Sequence, residues 1–373
     1  MKQTAPLPRA SNGSVWYRHE LLPVRHVLEL VRARIPSRER ALEDRFATIR
    51  SRFFDAYWKT VAEDIGADIE PIGDEFHRLS KGGKWTFVRQ GEVMLDDHLT
   101  LRIAGNKPLV NKLLKEQGYE VPDYLEYGLR DVDKALHFMQ ACEDNCVVKP
   151  ASGAAGGRGV CTKINNRSRL LQASCKAAVH SSNAALMIEK EHVGGNYRLL
   201  YLDGEFIDAI RRESPVLVGD GHSTIKMLVE RENASRLRDE VALSPLTLDL
   251  DARYTLEDQG LSGRHVVSAG DSVTIKTTSN QYSRSQNRTV KDSVHPSIIE
   301  FGRDISRALG VTLSGVDLML KDHSLPLDES RCRLNEINTT PGLHHHALIS
   351  NRESGIHVGS LILDYIFSQK AGI

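Results

Sequence analysis

The sequence predicts a mixed α/β (α+β) protein of several domains, and three observations carry that prediction. Its 373 residues exceed one ordinary core, since domains run to about 100 to 150 residues each. Between residues 106 and 195, apolar strand runs alternate with helical periods, as in a sheet covered by helices. Beyond them the chain returns to paired strands, "NYRLLYLDGEFIDAIRR" and then "LSGVDLML" with "CRLNEINT".

Taken in order, the first 36 residues hold Pro6, Pro8, Pro23 and Pro36 without a sustained period and read as an irregular arm. From Ser37 onward, Leu42, Phe46, Ile49, Phe53, Tyr57 and Val61 recur at helical spacing, giving one long amphipathic helix that ends near Gly66. A strand about "ADIEPIG" and a hairpin over "KWTFVRQGEVML" follow. "GNKPLVNKLLKEQG" opens a helix that Gly118 can close, and the composition shift there places a boundary near residue 105. Next come a strand about Tyr124, a helix from Asp131, the strand "CVVKP", a glycine-rich loop, a helix from Asn166 to Val179 and the strand "ALMIE". Asp203-Gly204 is a strong hairpin signal between two apolar runs. A helix at "STIKMLVERENA", a polar segment to Asn287, a helix opening at Pro296 and the last two strands complete the chain. The expected domains are 1–105, 106–195 and 196–373.

Composition narrows the function. Lys plus Arg equals Asp plus Glu at 49 each, and aromatics make up 6%, so no nucleic-acid footprint and no affinity for anionic membranes is expected. The five cysteines are odd in number and form no CxxC pair, which suits a reducing compartment. With no apolar signal core at the start and no run of about 18 apolar residues, the chain reads as soluble and cytoplasmic.

Three clusters could carry chemistry. "VVKPASGAAGGRGV" sets Lys149 at a strand end before Gly156, Gly157 and Gly159; small residues let backbone N–H groups close on phosphate while a lysine neutralises it. The GxxxxGK[ST] and GxGxxG forms are absent, so this loop alone is weak evidence. Glu336 and Asn338 alternate within "RLNEINTTPGLHHH" and so project to one face of a strand, and Asp317 in "SGVDLML" offers a third oxygen donor, a shell suited to magnesium. In "MIEKEHVGGNYRLL", Glu189 and Lys190 end an apolar strand whose edge can hydrogen-bond a base. The run His344 to His346 reads as a polar loop, since three consecutive histidines cannot all face one ion.

Together these segments resemble the ATP-grasp superfamily, most closely the ATP-grasp region of cyanophycin synthetase and more distantly D-alanine:D-alanine ligase. The resemblance runs from about Asn106 to Phe367 and is most specific in "YRLL" followed by "GDGHSTI". It implies a three-domain ATP-grasp fold with ATP between the central and C-terminal domains. Lys107 and Lys149 would hold phosphates, Gly156, Gly157, Arg158 and Gly159 would close over them, and Glu189 with Lys190 would meet adenine. Asp317, Glu336 and Asn338 would bind Mg2+, Arg198 and Arg212 would line the phosphate and substrate side, and one of the three histidines would orient substrate.

Departures from the family pattern bear on the substrate. An acidic ribose ligand is replaced by Asn196, a second lysine by Asn111, and a glycine-rich stretch by one holding Arg284 and Arg288; this last change points either to a more anionic substrate than cyanophycin's or to two solvated loop arginines. The chain ends at Ile373 without a Mur-ligase-like half, so one ligation is expected and not two. The implied activity is ATP-dependent joining of a small-molecule carboxylate and an amine, on an amino acid or small peptide, through an acylphosphate. Loading of a carrier protein, or nucleotide-dependent regulation without turnover, are the alternatives. The resemblance also implies a homo-oligomer, most simply a dimer.

Overall fold

A computed structural model describes residues 38–153, 156–240, 242–278 and 283–369. The irregular arm expected over the first 36 residues lies outside them, as do Ala154 and Ala155 of the glycine-rich loop.

The described residues open on α1 (Arg38–Ile65), an antiparallel sheet of β1 (Asp68–Gly73), β2 (Phe76–Lys81), β3 (Lys84–Arg89) and β4 (Glu92–Val93), and α2 (His98–Ala104). The helical period of α1 buries Phe46, Ile49, Trp58 and Val61 along one stripe, and the helix stops where Gly66 takes a φ of +66°. The expected hairpin is β3 with β4, but the longer partner of β3 is β2. Polar His77, Arg78 and Lys81 break the apolar alternation that would have revealed β2 in the sequence.

The central unit holds α3 (Lys107–Glu116), β5 (Tyr124–Tyr127), α4 (Val132–Ala141), β6 (Cys146–Pro150), β7 (Cys161–Ile164), α5 (Arg167–His180) and β8 (Leu186–Lys190). Asn106 caps α3 by accepting the Leu109 N–H at 3.2 Å, with a proline in the first turn. The strands run β5-β8-β6-β7 with every pair antiparallel, so the alternation of helix and strand builds an α+β layer. Leu170, Leu171 and Ala173 of α5 pack against Val148 and Ile188 of that sheet.

The remainder comprises β9 (Gly195–Leu202), β10 (Glu205–Arg212), β11 (Val216–Val218), α6 (Ile225–Asp239), α7 (Leu250–Asp258), β12 (Ser272–Thr274), β13 (Asn287–Thr289), α8 (Pro296–Ala308), β14 (Leu313–Leu320), β15 (Arg333–Asn338), α9 (His344–Ala347) and α10 (Val358–Ser368). Asp203 and Gly204 turn β9 into β10 with φ of 52° and 75°, the two positive values a type I′ turn requires. The polar segment expected before Asn287 contains α7, whose Tyr254 packs into the core of the central sheet. Among the described residues, no helix is long and apolar enough to cross a membrane.

Five strands in the order β13-β10-β9-β14-β15 form the largest sheet. One face, with Tyr197, Leu199, Val316, Leu318 and Ile337, packs on Ile298 and Ile305 of α8. The other face carries Arg198, Asp317 and Glu336 in one register row across β9, β14 and β15. Two and four residues beyond Arg198, Leu200 and Leu202 join a core built with Phe46 and Trp58 of α1 and Ile362 and Leu363 of α10. The Asp96 carboxylate ties the same regions by accepting the Thr312 and Leu313 amides at 2.7 and 3.1 Å.

Candidate active site

A cavity of about 510 Å³ is lined from the central sheet by Lys149 and Glu189 and from the five-stranded sheet by Asn196, Glu336 and Asn338. Lys107 at the start of α3 and Gly156, Gly157 and Arg158 of the loop also line it. Gly153, Gly156, Gly157 and Gly159 all take positive φ, between 65° and 79°, a conformation costly for other residues. Gly159 lies behind the loop, where a Cβ would come within 2.9 Å of the Pro150 ring.

At the inner end, Lys149 Nζ meets Glu189 Oε1 at 2.6 Å, with both side chains buried. The other carboxylate oxygen, Oε2, is buried without a partner, and so is Nε2 of His192 on the same wall. Burial pushes the His192 imidazole below its ordinary range. Unpartnered buried polar atoms cost about 1–3 kcal/mol each, and hydrogen bonds from a ligand at this edge would offset that cost. Strand alternation turns the Lys190 side chain the opposite way, to Asp144 at 2.9 Å on the surface.

At the outer end, Lys107 Nζ stands 3.8 Å from Glu336 Oε2, and Asn338 Nδ2 donates to Glu336 Oε1 at 3.3 Å. A bulge in β15 makes this possible: Asp317 faces Glu336, but the next residue, Leu318, faces Leu334. Leu334 thereby enters the apolar core while Glu336 turns to the cavity.

Asp317 is placed differently from Glu336 and Asn338. Arg198 donates from Nε to Oδ1 at 2.6 Å and from Nη2 to Oδ2 at 2.8 Å, and Arg212 donates from Nη2 to Oδ2 at 2.7 Å. Burial pushes the Asp317 carboxyl up, and the two guanidinium groups more than offset this, holding it below the usual carboxylate range. Arg212 also donates from Nε to Asn196 Oδ1 at 3.0 Å, and Arg198 from Nη1 to the Pro341 carbonyl at 2.7 Å. Two buried guanidinium groups thus converge on one carboxylate beside the cavity. Among the described residues, no group of three His, Cys, Asp or Glu side chains is placed to hold a metal. Glu336 and Asn338 fit a hard cation as two oxygen donors on the wall, whereas both oxygens of Asp317 are engaged by arginine.

Gly315 lies opposite Asn338 in the register, and a Cβ there would sit 2.8 Å from Pro341 Cβ and 3.2 Å from Arg198 Cδ. Gly315→Ala is expected to destabilise the protein by about 1–3 kcal/mol through overpacking and to lower turnover by displacing Arg198. Thermal melting alongside a rate measurement checks both parts; wild-type values in each would show that the loop yields freely.

The three histidines depart from the polar loop expected of them. They form α9, and His345 and His346 are each 1% exposed. Burial, reinforced by Arg198 and neighbouring charges, pushes His344 down to about 3 and His345 well below its ordinary range. Groups kept neutral in the fold but protonated when unfolded make stability fall as pH drops below about 6.5, by up to about 1.4 kcal/mol per pH unit per group. His345→Asn is expected to flatten the decline in melting temperature between about pH 6 and pH 4; an unchanged slope would refute this source of acid lability.

Several cavity residues had no motif to reveal them. Thr162 and Thr278 are tied together by Asp251 of α7, whose Oδ1 accepts from Thr162 Oγ1 at 2.7 Å and whose Oδ2 accepts from Thr278 Oγ1 at 3.0 Å. Asp251 is 1% exposed and lies in a segment whose sequence shows only polarity. Glu191, whose carboxyl is pushed up by burial, accepts the Lys163 N–H at 3.1 Å.

The two-sheet cleft with its glycine loop is the ATP-grasp fold. The bifunctional glutathione synthetase from Pasteurella multocida matches it with a TM-score of 0.50 and 22% identity, over 81% of this chain and 41% of that one. Sequence relatives are the glutathione biosynthesis bifunctional protein GshAB of Streptococcus mutans, 24% identical over 310 residues, and the cyanophycin synthetase of Synechocystis sp., 25% identical over 276 residues. These alignments take in 81% and 72% of the chain but only 41% and 31% of the relatives' own length. No protein-family model matches the sequence. The resemblance read from "IEKEHVGGNYRLL" to "NEINTTPGLHHH" is borne out in the fold and in these relatives.

Proposed function

We propose that the chain is an ATP-dependent carboxylate-amine ligase that forms an amide bond on an amino acid or small peptide. The observation that carries this reading is a single cavity joining an unsatisfied buried hydrogen-bonding edge at Glu189 to a cation-rich wall with two oxygen ligands at Glu336 and Asn338. Glu189 Oε2 and the backbone at Lys190 receive the adenine edge, and Asn196 stands beside the ribose. Lys107 and Lys149 neutralise phosphates under the loop of Gly156, Gly157, Arg158 and Gly159. Glu336 and Asn338 hold magnesium, and Asp317 becomes a third ligand only if Arg198 and Arg212 release it. Magnesium supplies charge neutralisation and alignment of the γ-phosphate.

Arg198 and Arg212 stabilise the negative charge that develops as the substrate carboxylate attacks that phosphate, and their fixed orientation spares reorganisation at the moment of transfer. The resulting acylphosphate reacts with an amine, releasing phosphate. No nucleophilic side chain is needed, because phosphoryl transfer asks the protein for position and charge. The relatives' names place them in glutathione and cyanophycin synthesis, which supports small amino-acid-derived substrates. A cytoplasmic homodimer of three domains, 1–105, 106–195 and 196–373, completes the proposal.

The test is ADP release with magnesium-ATP across amino acids and short peptides, singly and in pairs. A pair that yields ADP and a condensation product by mass supports the reading. ATP binding with no turnover for any pair would overturn it.

A further inference from the structure

Four hydroxyl side chains on the cavity wall take no part in the ligation proposed above: Thr162 of β7, Ser214 beyond β10, and Thr277 and Thr278 beyond β12. All four are half-buried. Thr162 Oγ1 donates to Asp251 Oδ1 at 2.7 Å, and Thr278 Oγ1 donates to Asp251 Oδ2 at 3.0 Å. The same two oxygens accept the Thr162 and Thr278 N–H groups at 3.1 and 3.2 Å. The hydroxyl oxygens of Thr162 and Thr277 are in hydrogen-bond contact, and because the Thr162 proton is committed to Asp251, Thr277 is the donor. Ser214 Oγ donates to the Thr277 carbonyl at 3.3 Å. A hydroxyl carries one proton and two lone pairs, so this wall offers a ligand lone pairs alone. Asp251, buried behind the hydroxyls, adds a negative potential that draws donor groups and repels phosphate.

The position of the wall narrows the donor. Asn196, which the sequence sets beside the ribose, lines the cavity, but its Oδ1 already accepts from Arg212 Nε at 3.0 Å and again from Nη2. Only its N–H groups remain for a ligand, and these cannot accept from a sugar hydroxyl. Arg212 is the register partner of Asn196, and Ser214 follows Arg212 by two residues. Ser214 and, bonded to it, Thr277 therefore carry the accepting wall on from Asn196 toward Thr162 of the central sheet.

We propose that Thr162, Ser214, Thr277 and Thr278 are the acceptors for the 2′- and 3′-hydroxyls of the bound nucleotide's ribose, in place of the carboxylate that Asn196 replaces, with Asp251 as their positioning residue; this rests on the ATP-dependent reading above. Lys107 and Lys149 take the phosphates, and the wall reads the sugar by the direction of its lone pairs. Asp251 acts by holding the threonine protons away from the cavity. Without it a hydroxyl is free to turn its proton to the sugar, where that proton opposes the diol's own.

The test is equilibrium binding of magnesium-ATP, 2′-deoxy-ATP and 3′-deoxy-ATP to the full-length protein by calorimetry, which needs no turnover. The wild type is expected to bind ATP about tenfold more tightly than at least one deoxy analogue, the scale of one or two hydrogen bonds. Thr162→Val and Thr277→Val, which keep the side-chain shape, are expected to shrink that preference to about twofold by weakening ATP, whereas Thr162→Ser, which keeps the hydroxyl, retains it. Asp251→Asn turns an amide N–H toward one threonine and is expected to shrink the preference although every hydroxyl is still present. Melting curves show which variants fold, and the ratio between nucleotides within one variant is independent of its stability. Equal wild-type affinity for the three nucleotides, or a uniform loss across them in the valine variants, overturns the assignment. An unchanged preference with a raised KM for the amine also overturns it and gives the wall to the ammonium group. Failure of the wild type to bind magnesium-ATP would instead overturn the ligase reading itself.

Discussion

Glu336→Gln is expected to reduce amine-dependent ADP release by at least about 100-fold while leaving the fold intact. The side chain is 25% exposed, its contact with Lys107 is 3.8 Å, and its bond from Asn338 is 3.3 Å, so the folded state loses little when the charge goes. The loss falls on ligand chemistry: an amide oxygen replaces a carboxylate where a hard cation and phosphate oxygens are to meet. Steady-state ADP release with parallel melting curves checks both halves. Near-wild-type turnover would remove Glu336 from the reacting centre, and a large drop in melting temperature would make it structural.

Asp317→Asn is expected to act on stability first. It leaves Arg198 and Arg212, which are 5% and 3% exposed, without the one carboxylate they share. Removing one partner of a buried ion cluster costs about 3–5 kcal/mol. That corresponds to a fall in melting temperature on the order of 10 °C. Turnover should fall as well, because the guanidinium groups lose the orientation that Asp317 and Pro341 impose. A variant that melts within about 2 °C of wild type would show that the arginines find other partners and that Asp317 does not anchor them.

Much of the architecture was legible because it rests on local chemistry. The stripe from Leu42 to Val61 specifies α1, Asp203-Gly204 specifies the β9–β10 turn through its two positive φ values, and Asn106 with Pro108 specifies the start of α3. Where polar residues interrupt a period, the signal fails: β2 carries His77 and Arg78, and α7 sits within a polar run whose buried face appears only against the central sheet. The site residues divide in the same way. Alternation along one strand puts Glu336 and Asn338 on one face and a strand end before glycines marks Lys149, while the β15 bulge decides which way that face turns.

What the sequence by itself determined, then, is which residues share a strand or a helix face, since that follows from backbone periodicity alone. Which charges neutralise one another was decided by the tertiary structure. Arg198, Arg212 and Asp317 lie up to 119 residues apart; the β10–β9 and β9–β14 registers bring both guanidinium groups to one carboxylate, and Gly315 leaves room for Arg198. The bulges in β10 and β15 are likewise invisible locally, yet each reverses the face of the residues beyond it, bringing Asp208 under His346 and Glu336 to the cavity wall. Electrostatic partnership in a buried site depends on distances across strands, and periodicity along one strand does not encode them.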